Sequence, residues 1–358
     1  METLINEELK IRYESLVGKE HLLPIKVTDF YKTKVNEEID AIGYGGPLYR
    51  SVIPTLEKLD LHTSYEARDY VEEYKHMPIP NVDYIIQKYE DRVIVIITEL
   101  CFSHCQYCFR TYNLSEFQKD DFKVSLSRKV RVLKEYLRSN SKIHEVILSG
   151  GDPLSIGYEN MQFILSELNE WDVRIHTRAI VYEPTVFSQE MIRLLSLFNV
   201  RLVFHINHPY EICQIVKEKI RSMHMCDIKM YAQFPLLRGI NDHSDVLIEL
   251  LTMMDNLYIR PISIFIPDPI TYGADYRVSF SRIISIMDEL NWKTPSWINS
   301  VRFVMDTTFG KVRRENILKI EGKHITFYRD GHQIEYYDLD DGIDVPGDIN
   351  KMLWKSQG

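Results

Sequence analysis

Six short runs of β-branched and aliphatic residues recur through the middle of the chain. They are RVIVIIT (92–98), HEVILS (144–149), DVRIHTRAI (172–180), VRLVFHI (200–206), IKMYAQF (228–234) and LYIRPISIFI (257–266). Near-continuous apolar runs of this length predict strands buried on both faces, and the stretches between them carry apolar residues at helical spacing. Strands alternating with helices predict a parallel sheet made of right-handed βα units. Six units are too few to close an eight-stranded barrel, so the expected fold class is α/β, a partial (β/α)6 TIM-type barrel.

The flanks read differently. Residues 1–85 are charge-rich and helical in pattern (INEELKIRYESLV, SYEARDYVEEYKHM), broken by the turn-rich AIGYGGPLYRSVIP. A helical N-terminal extension is therefore expected there, with the barrel core over 86–300. The segment 301–358 contains one more apolar run, VRFVMD, and a hairpin, ITFYR-DG-HQIEYY, with Asp330-Gly331 as its turn. No internal repeat is evident. A net charge of −9 argues against a nucleic-acid partner held by phosphate neutralisation. With no run of eighteen apolar residues and no leader pattern, no membrane partner is expected and the cytoplasm is the expected compartment.

Chemistry gathers where the expected strands end. RVIVIIT runs into Cys101, Cys105 and Cys108; EVIL runs into Ser149-Gly150-Gly151-Asp152-Pro153. VRLVF meets His205-Ile206-Asn207-His208, and SIFI meets Pro267-Asp268. In parallel barrels the loops at the carboxyl ends of the strands build the site, so these segments are expected to share one mouth.

Three thiols within eight positions have several readings. A disulfide with a spare thiol is weak in a chain of this type. Zinc would need a fourth ligand, which His104 is poorly placed to give and which Cys213 or Cys226 could supply only from afar. A cubane iron–sulfur cluster held by three thiolates would leave one iron open to a ligand. The glycine pair is open to two readings as well: a tight turn, or a close backbone approach to a ligand.

The spacing C-x3-C-x2-C after a first barrel strand resembles the signature of the radical S-adenosylmethionine (radical SAM) superfamily. That resemblance implies a [4Fe-4S] cluster on Cys101, Cys105 and Cys108, with SAM chelated at the open iron. It also implies that Ser149, Gly150, Gly151 and Asp152 approach SAM.

An ordered series of segments narrows this further: YEDRVIVIITELCFSHCQYCFR, EVILSGGDPL, FHINHPYEI, FPLLRGIND and RPISIFIPD…GADYR. From about residue 84 to 316 the chain resembles the lysine 2,3-aminomutase family. The resemblance implies a second cofactor, pyridoxal 5′-phosphate (PLP), on Lys311 of DTTFGKVRREN. It assigns Arg110 to the substrate α-carboxylate, where a planar guanidinium suits two-point binding. Asp268 and Asp306 would hold a distal ammonium, which selects a basic amino acid and repels an acidic one. Lys88 and Gln233 would serve PLP, while Arg178, His205 and Asn207 would orient SAM or the cluster.

The implied activity is a 2,3-aminomutase acting on lysine through a 5′-deoxyadenosyl radical. Arginine, a protein lysyl residue, or a PLP-independent radical reaction are the alternatives. A reducing donor of the flavodoxin or ferredoxin type and a homo-oligomer are also expected. Three departures stand out: only Gly310 precedes Lys311 where the family loop is glycine-rich, Phe265 replaces a tyrosine, and no cysteine follows Cys226. Hence no structural zinc is expected.

Overall fold

The computed structural model describes residues 4–119 and 124–357. The six expected strands form as β2 (Arg92–Thr98), β3 (Glu145–Gly150), β4 (Asp172–Thr177), β5 (Arg201–Phe204), β6 (Lys229–Pro235) and β7 (Arg260–Phe265). They pair in parallel in sequence order. Helices over Leu126–Ser139, Tyr158–Glu167, Gln189–Leu197, Gln214–Met225 and Ser244–Asn256 connect them.

The sheet then gains a strand at each edge. β1 (Ile85–Tyr89) pairs antiparallel with β2 across the two-residue turn Glu90-Asp91. After the helix over Phe280–Lys293, β8 (Arg302–Val304) adds a seventh parallel strand beside β7. VRFVMD therefore belongs to the sheet, and the barrel-type sheet reaches past residue 300. β1 and β8 are the two ends of the strand order, so the sheet is an open, partial barrel.

Apolar burial follows the strands. Val93, Val95, Val146, Leu148, Ile175, Leu202, Phe204, Ala232, Phe234 and Ile264 are all buried, packed against the surrounding helices. Strand β4 stops at Thr177, earlier than DVRIHTRAI suggests, because Arg178–Tyr182 turns into a short helix whose first amide is capped by Thr177 Oγ1 at 2.9 Å.

The N-terminal extension forms helices α1 (Glu7–Val17), α2 (Asp29–Ile42), α3 (Pro47–Val52) and α4 (Leu56–Asp60). SYEARDYVEEYKHM departs from its helical pattern: only a 3-10 turn, Glu73–His76, forms. Tertiary contacts override propensity there. The Ala67 amide donates to Pro269 O at 2.9 Å, Glu72 takes a left-handed φ of 52°, and Glu73 is drawn into the barrel mouth by an arginine.

At the other end, β9 (Ile317–Glu321), β10 (His324–Arg329) and β11 (His332–Tyr337) form a small antiparallel sheet. The expected Asp330-Gly331 turn is present, with φ of 48° and 88°. Two positive φ values make the twist that joins strands of a tight hairpin. Among the described residues, no helix is long and apolar enough to cross a membrane.

Candidate active site

The carboxyl ends of β2 to β8 open into one cavity of about 510 Å³. Its wall includes the three clustered cysteines, Ser149 to Asp152, Arg178, His205 and Gln233, together with Asp268, Asp306, Lys311 and Lys88. Of the residues given a cofactor, substrate or metal role from the sequence, Asn207 is the one off this wall. It is fully buried, and its amide donates to the Tyr107 hydroxyl behind the cysteine loop.

The cysteine loop is held from outside the barrel. His104 N donates to Lys26 O at 2.9 Å, and its ring bonds Pro24 O at 2.6 Å, so it faces away from the thiols. Gln106 N donates to Ser51 O at 3.0 Å, Lys26 Nζ to Cys101 O at 2.6 Å, and Lys58 Nζ to Gln106 O at 2.5 Å. Burial, then the charge of its thiol neighbours, pushes Cys101 well up and Cys108 up to about 12. Such thiols shed their protons only against a bound cation.

The cavity wall carries the three thiols, with the His104 ring turned away to Pro24 O. Three thiolates would hold a cubane with one iron open, whereas zinc would need a fourth ligand. The donor set fits the cluster.

Backbone contact explains the glycine pair. A Cβ on Gly150, at φ +123°, would lie 2.2 Å from Thr98 O, and one on Gly151 2.2 Å from Leu100 O. The end of β3 thus lies directly against the segment that enters the cysteine loop. Asp152 secures the next strand: it accepts from Thr177 Oγ1 at 2.8 Å and from the Arg178 amide at 2.8 Å.

Arg178 pairs with the buried Glu211 at 2.5 Å and covers the Tyr182 ring, whose hydroxyl lies 3.1 Å from Cys105 Sγ. Glu211 was not singled out in the sequence. It accepts from Asn207 N, Tyr31 Oη and Arg178, so FHINHPYEI ties β5 and α2 together behind the cysteines.

The opposite wall is built by β7, β8 and the loop after them. Met305 and Val312 exchange two backbone hydrogen bonds of 2.9 Å, closing a loop with Asp306 and Lys311 at its base. Gly310, at φ +102°, makes the turn possible, and Arg329 donates to Lys311 O. The Lys311 ammonium lies 4.6 Å from the centre of the Phe265 ring. Burial, reinforced by Arg174, Arg92 and Lys88, lowers its pKa and favours the nucleophilic amine.

Arg174 was also missed. Its signal is the alternation on β4, where Arg174 and His176 share the face opposite Val173 and Ile175. Arg174 Nε and His176 Nε2 are buried and, among the described residues, without a hydrogen-bond partner. Orphaned donors among three further cations fit a phosphate ester, so the residues present suit PLP. Gln233 Nε2 lies 3.0 Å from His176 Nδ1 and 3.2 Å from His205 Nε2. Burial, then the nearby Arg178, pushes His205 down to about 3, so its imidazole is neutral.

Two expected ligand groups have partners within the chain. Arg110 donates to Glu73 Oε2 at 2.9 Å and to Ser149 Oγ at 2.8 Å. Lys88 pairs with Asp306 at 2.9 Å. Among the described residues, the Asp268 carboxyl has no such partner. Burial, then the charge of Asp306, raises its carboxyl well above the usual range.

Residues 95–250, from β2 to the helix after β6, match the family description "Radical SAM superfamily". This stretch carries a radical SAM domain. Similarity to known proteins extends over most of the chain. The chain is 28% identical over 294 residues to the L-lysine 2,3-aminomutase of Buchnera aphidicola, covering 80% of this chain and 82% of that protein. It is also 28% identical over 294 residues to the L-lysine 2,3-aminomutase of Clostridium subterminale, covering 80% and 67%. Among solved structures, a radical SAM methyltransferase from Sphaerobacter thermophilus covers 62% of this chain at 16% identity with a TM-score of 0.42.

Proposed function

We propose that the chain is a PLP-dependent 2,3-aminomutase that moves the α-amino group of a basic amino acid, L-lysine in the first instance, to the β-carbon. The observation that carries this reading is the shared cavity: Lys311, with its lowered pKa, lines the same space as Cys101, Cys105 and Cys108. SAM at the cluster would supply a 5′-deoxyadenosyl radical, and PLP on Lys311 would supply conjugation that spreads an unpaired spin.

This chain's own residues do the positioning. A primary radical takes whichever hydrogen it can reach, so holding the substrate at both ends selects the β-hydrogen. The substrate carboxylate takes the place of Glu73 on Arg110. The distal ammonium takes the place of Lys88 on Asp306 and supplies the charge that lets Asp268 ionise. Lys88, released, turns toward the phosphate group with Arg92 and Arg174. The neutral imidazoles of His176 and His205 hold the Gln233 amide in one orientation.

The test is anaerobic incubation of reduced enzyme, SAM and PLP with a panel of amino acids, followed by a search for β-isomers. Lysine turnover is expected. Turnover of arginine alone would replace the substrate, and turnover of neither, with SAM still cleaved, would replace the reaction. Borohydride reduction and peptide mapping should place a pyridoxyl group on Lys311, and its absence would remove PLP from the mechanism.

A further inference from the structure

Beneath the Cys105–Cys108 turn lies a cation from the N-terminal extension. Lys58 belongs to the one-turn helix α4, capped by Thr55 Oγ1, and its side chain runs inward until the residue is only 4% exposed. Its ammonium donates to Gln106 O at 2.5 Å and Tyr272 O at 3.1 Å, and lies 5.5 Å from the centre of the Tyr276 ring. Among the described residues it forms no ion pair within 4.0 Å.

A buried charge without a counter-charge is strongly disfavoured. The carboxylate acting most strongly on Lys58 is Asp275, and that group already accepts from Arg50 at 2.8 Å and Arg238 at 3.2 Å. Three cations thus share one aspartate, with Glu66 a weaker contributor. Burial lowers the Lys58 pKa to about 8, which still leaves it charged at neutral pH, and it and the Cys108 thiol lie within electrostatic reach of each other.

We infer that Lys58 is a positioning residue whose buried charge sets the reduction potential of the cluster held by the three cysteines. This cation, only partly compensated by a shared aspartate, sits on the backbone carbonyl between two of those ligands. One-electron reduction adds a negative charge to the cluster, taken from a low-potential donor. A nearby fixed cation in a poorly screened site stabilises the reduced form and raises the potential. Lys26, which reaches Cys101 O from a solvent-exposed position, is screened and should matter much less. The inference rests on the cluster alone, not on PLP or the substrate.

The experiment is an EPR-monitored redox titration of the anaerobically reconstituted full chain. In Lys58→Met, the reduced-to-oxidised ratio at the wild-type midpoint should fall about tenfold, a downward shift of about 59 mV for one electron. Lys58→Arg and Lys26→Met should stay close to the wild type. A Lys58→Met cluster that titrates at the wild-type potential overturns the inference. Should Lys58→Met not take up iron, Asp275→Asn decides: removing the facing carboxylate should shift the potential upward, and an unchanged potential overturns the inference. A wild-type chain that binds no cluster would instead overturn the reading of the cysteines.

Discussion

The two walls of the cavity are held in opposite ways. On the cysteine side the extension grips the loop mainly at its backbone: His104 to Lys26 and Pro24, Gln106 to Ser51 and Val52, and the ammoniums of Lys26 and Lys58 on the carbonyls of Cys101 and Gln106. On the lysine side the contacts reaching across the mouth run between side chains and each includes a charged group: the buried Glu73 on Arg110, and the partly exposed pairs Lys88 with Asp306 and Thr308 with Glu72. The first arrangement resists motion, because breaking any of these bonds costs a backbone group its pairing. The second can exchange, because a charged ligand restores whatever pairing it displaces. One wall is a fixed seat and the other a set of places a substrate can take over.

The strongest challenge to this contrast is Gly151→Ala. Its Cβ would meet the Leu100 carbonyl at 2.2 Å, and backbone on a fixed wall cannot give way. Destabilisation of about 1–3 kcal/mol is expected, with loss of bound iron measured by iron content after reconstitution. Gly18→Ala, where an added Cβ meets nothing within 4 Å, should leave both unchanged. Full iron loading in Gly151→Ala would mean that the cysteine wall is as adaptable as the lysine wall.

Glu73→Gln probes the exchangeable wall. It keeps the shape beside Arg110 and removes the competing charge. The KM for the amino acid should fall by about tenfold, or about 1.4 kcal/mol, with kcat nearly unchanged. A KM that rises would make Glu73 a support for Arg110 and not a stand-in for the substrate carboxylate.

A smaller effect concerns the extension itself. Glu38 on α2 is buried, accepts from the amides of Leu48 at 3.0 Å and Tyr49 at 2.7 Å, and has its pKa pushed by burial up to about 7. Between its ordinary value near 4.5 and about 7, the folded chain keeps a proton that the unfolded chain has lost. Stability from this group is therefore complete below pH 4.5 and lost as pH rises through 7, by roughly 3 kcal/mol at most. Urea unfolding across pH 4.5–8 should show the wild type losing stability relative to Glu38→Gln as the pH rises. A constant difference would mean that Glu38 is already ionised in place and that this junction of α2 and α3 is wetter than its burial implies.

Strand positions and their order were legible because a strand's pattern lies within four to seven neighbouring residues. The cysteines, the glycine pair and Lys311 were legible through local motifs in a family-like order. The edges of the sheet were less so: IIQKY is short, and β8 has only three residues, so neither carries a long periodic signal. SYEARDYVEEYKHM misled for a related reason. Its charges suit a helix, but two of its glutamates find partners at Arg110 and Thr308 instead.

From the chain of residues alone came the βα alternation, the three thiols at their spacing, and the convergence of loaded loops on one mouth. These depend on short-range covalent spacing and side-chain periodicity. Which charge faces which was settled only on folding. Glu73 and Arg110 lie 37 positions apart, Lys88 and Asp306 218, and Lys58 reaches Gln106 across 48. No local pattern encodes such pairings, because each depends on where several distant elements come to rest in a common, poorly screened interior.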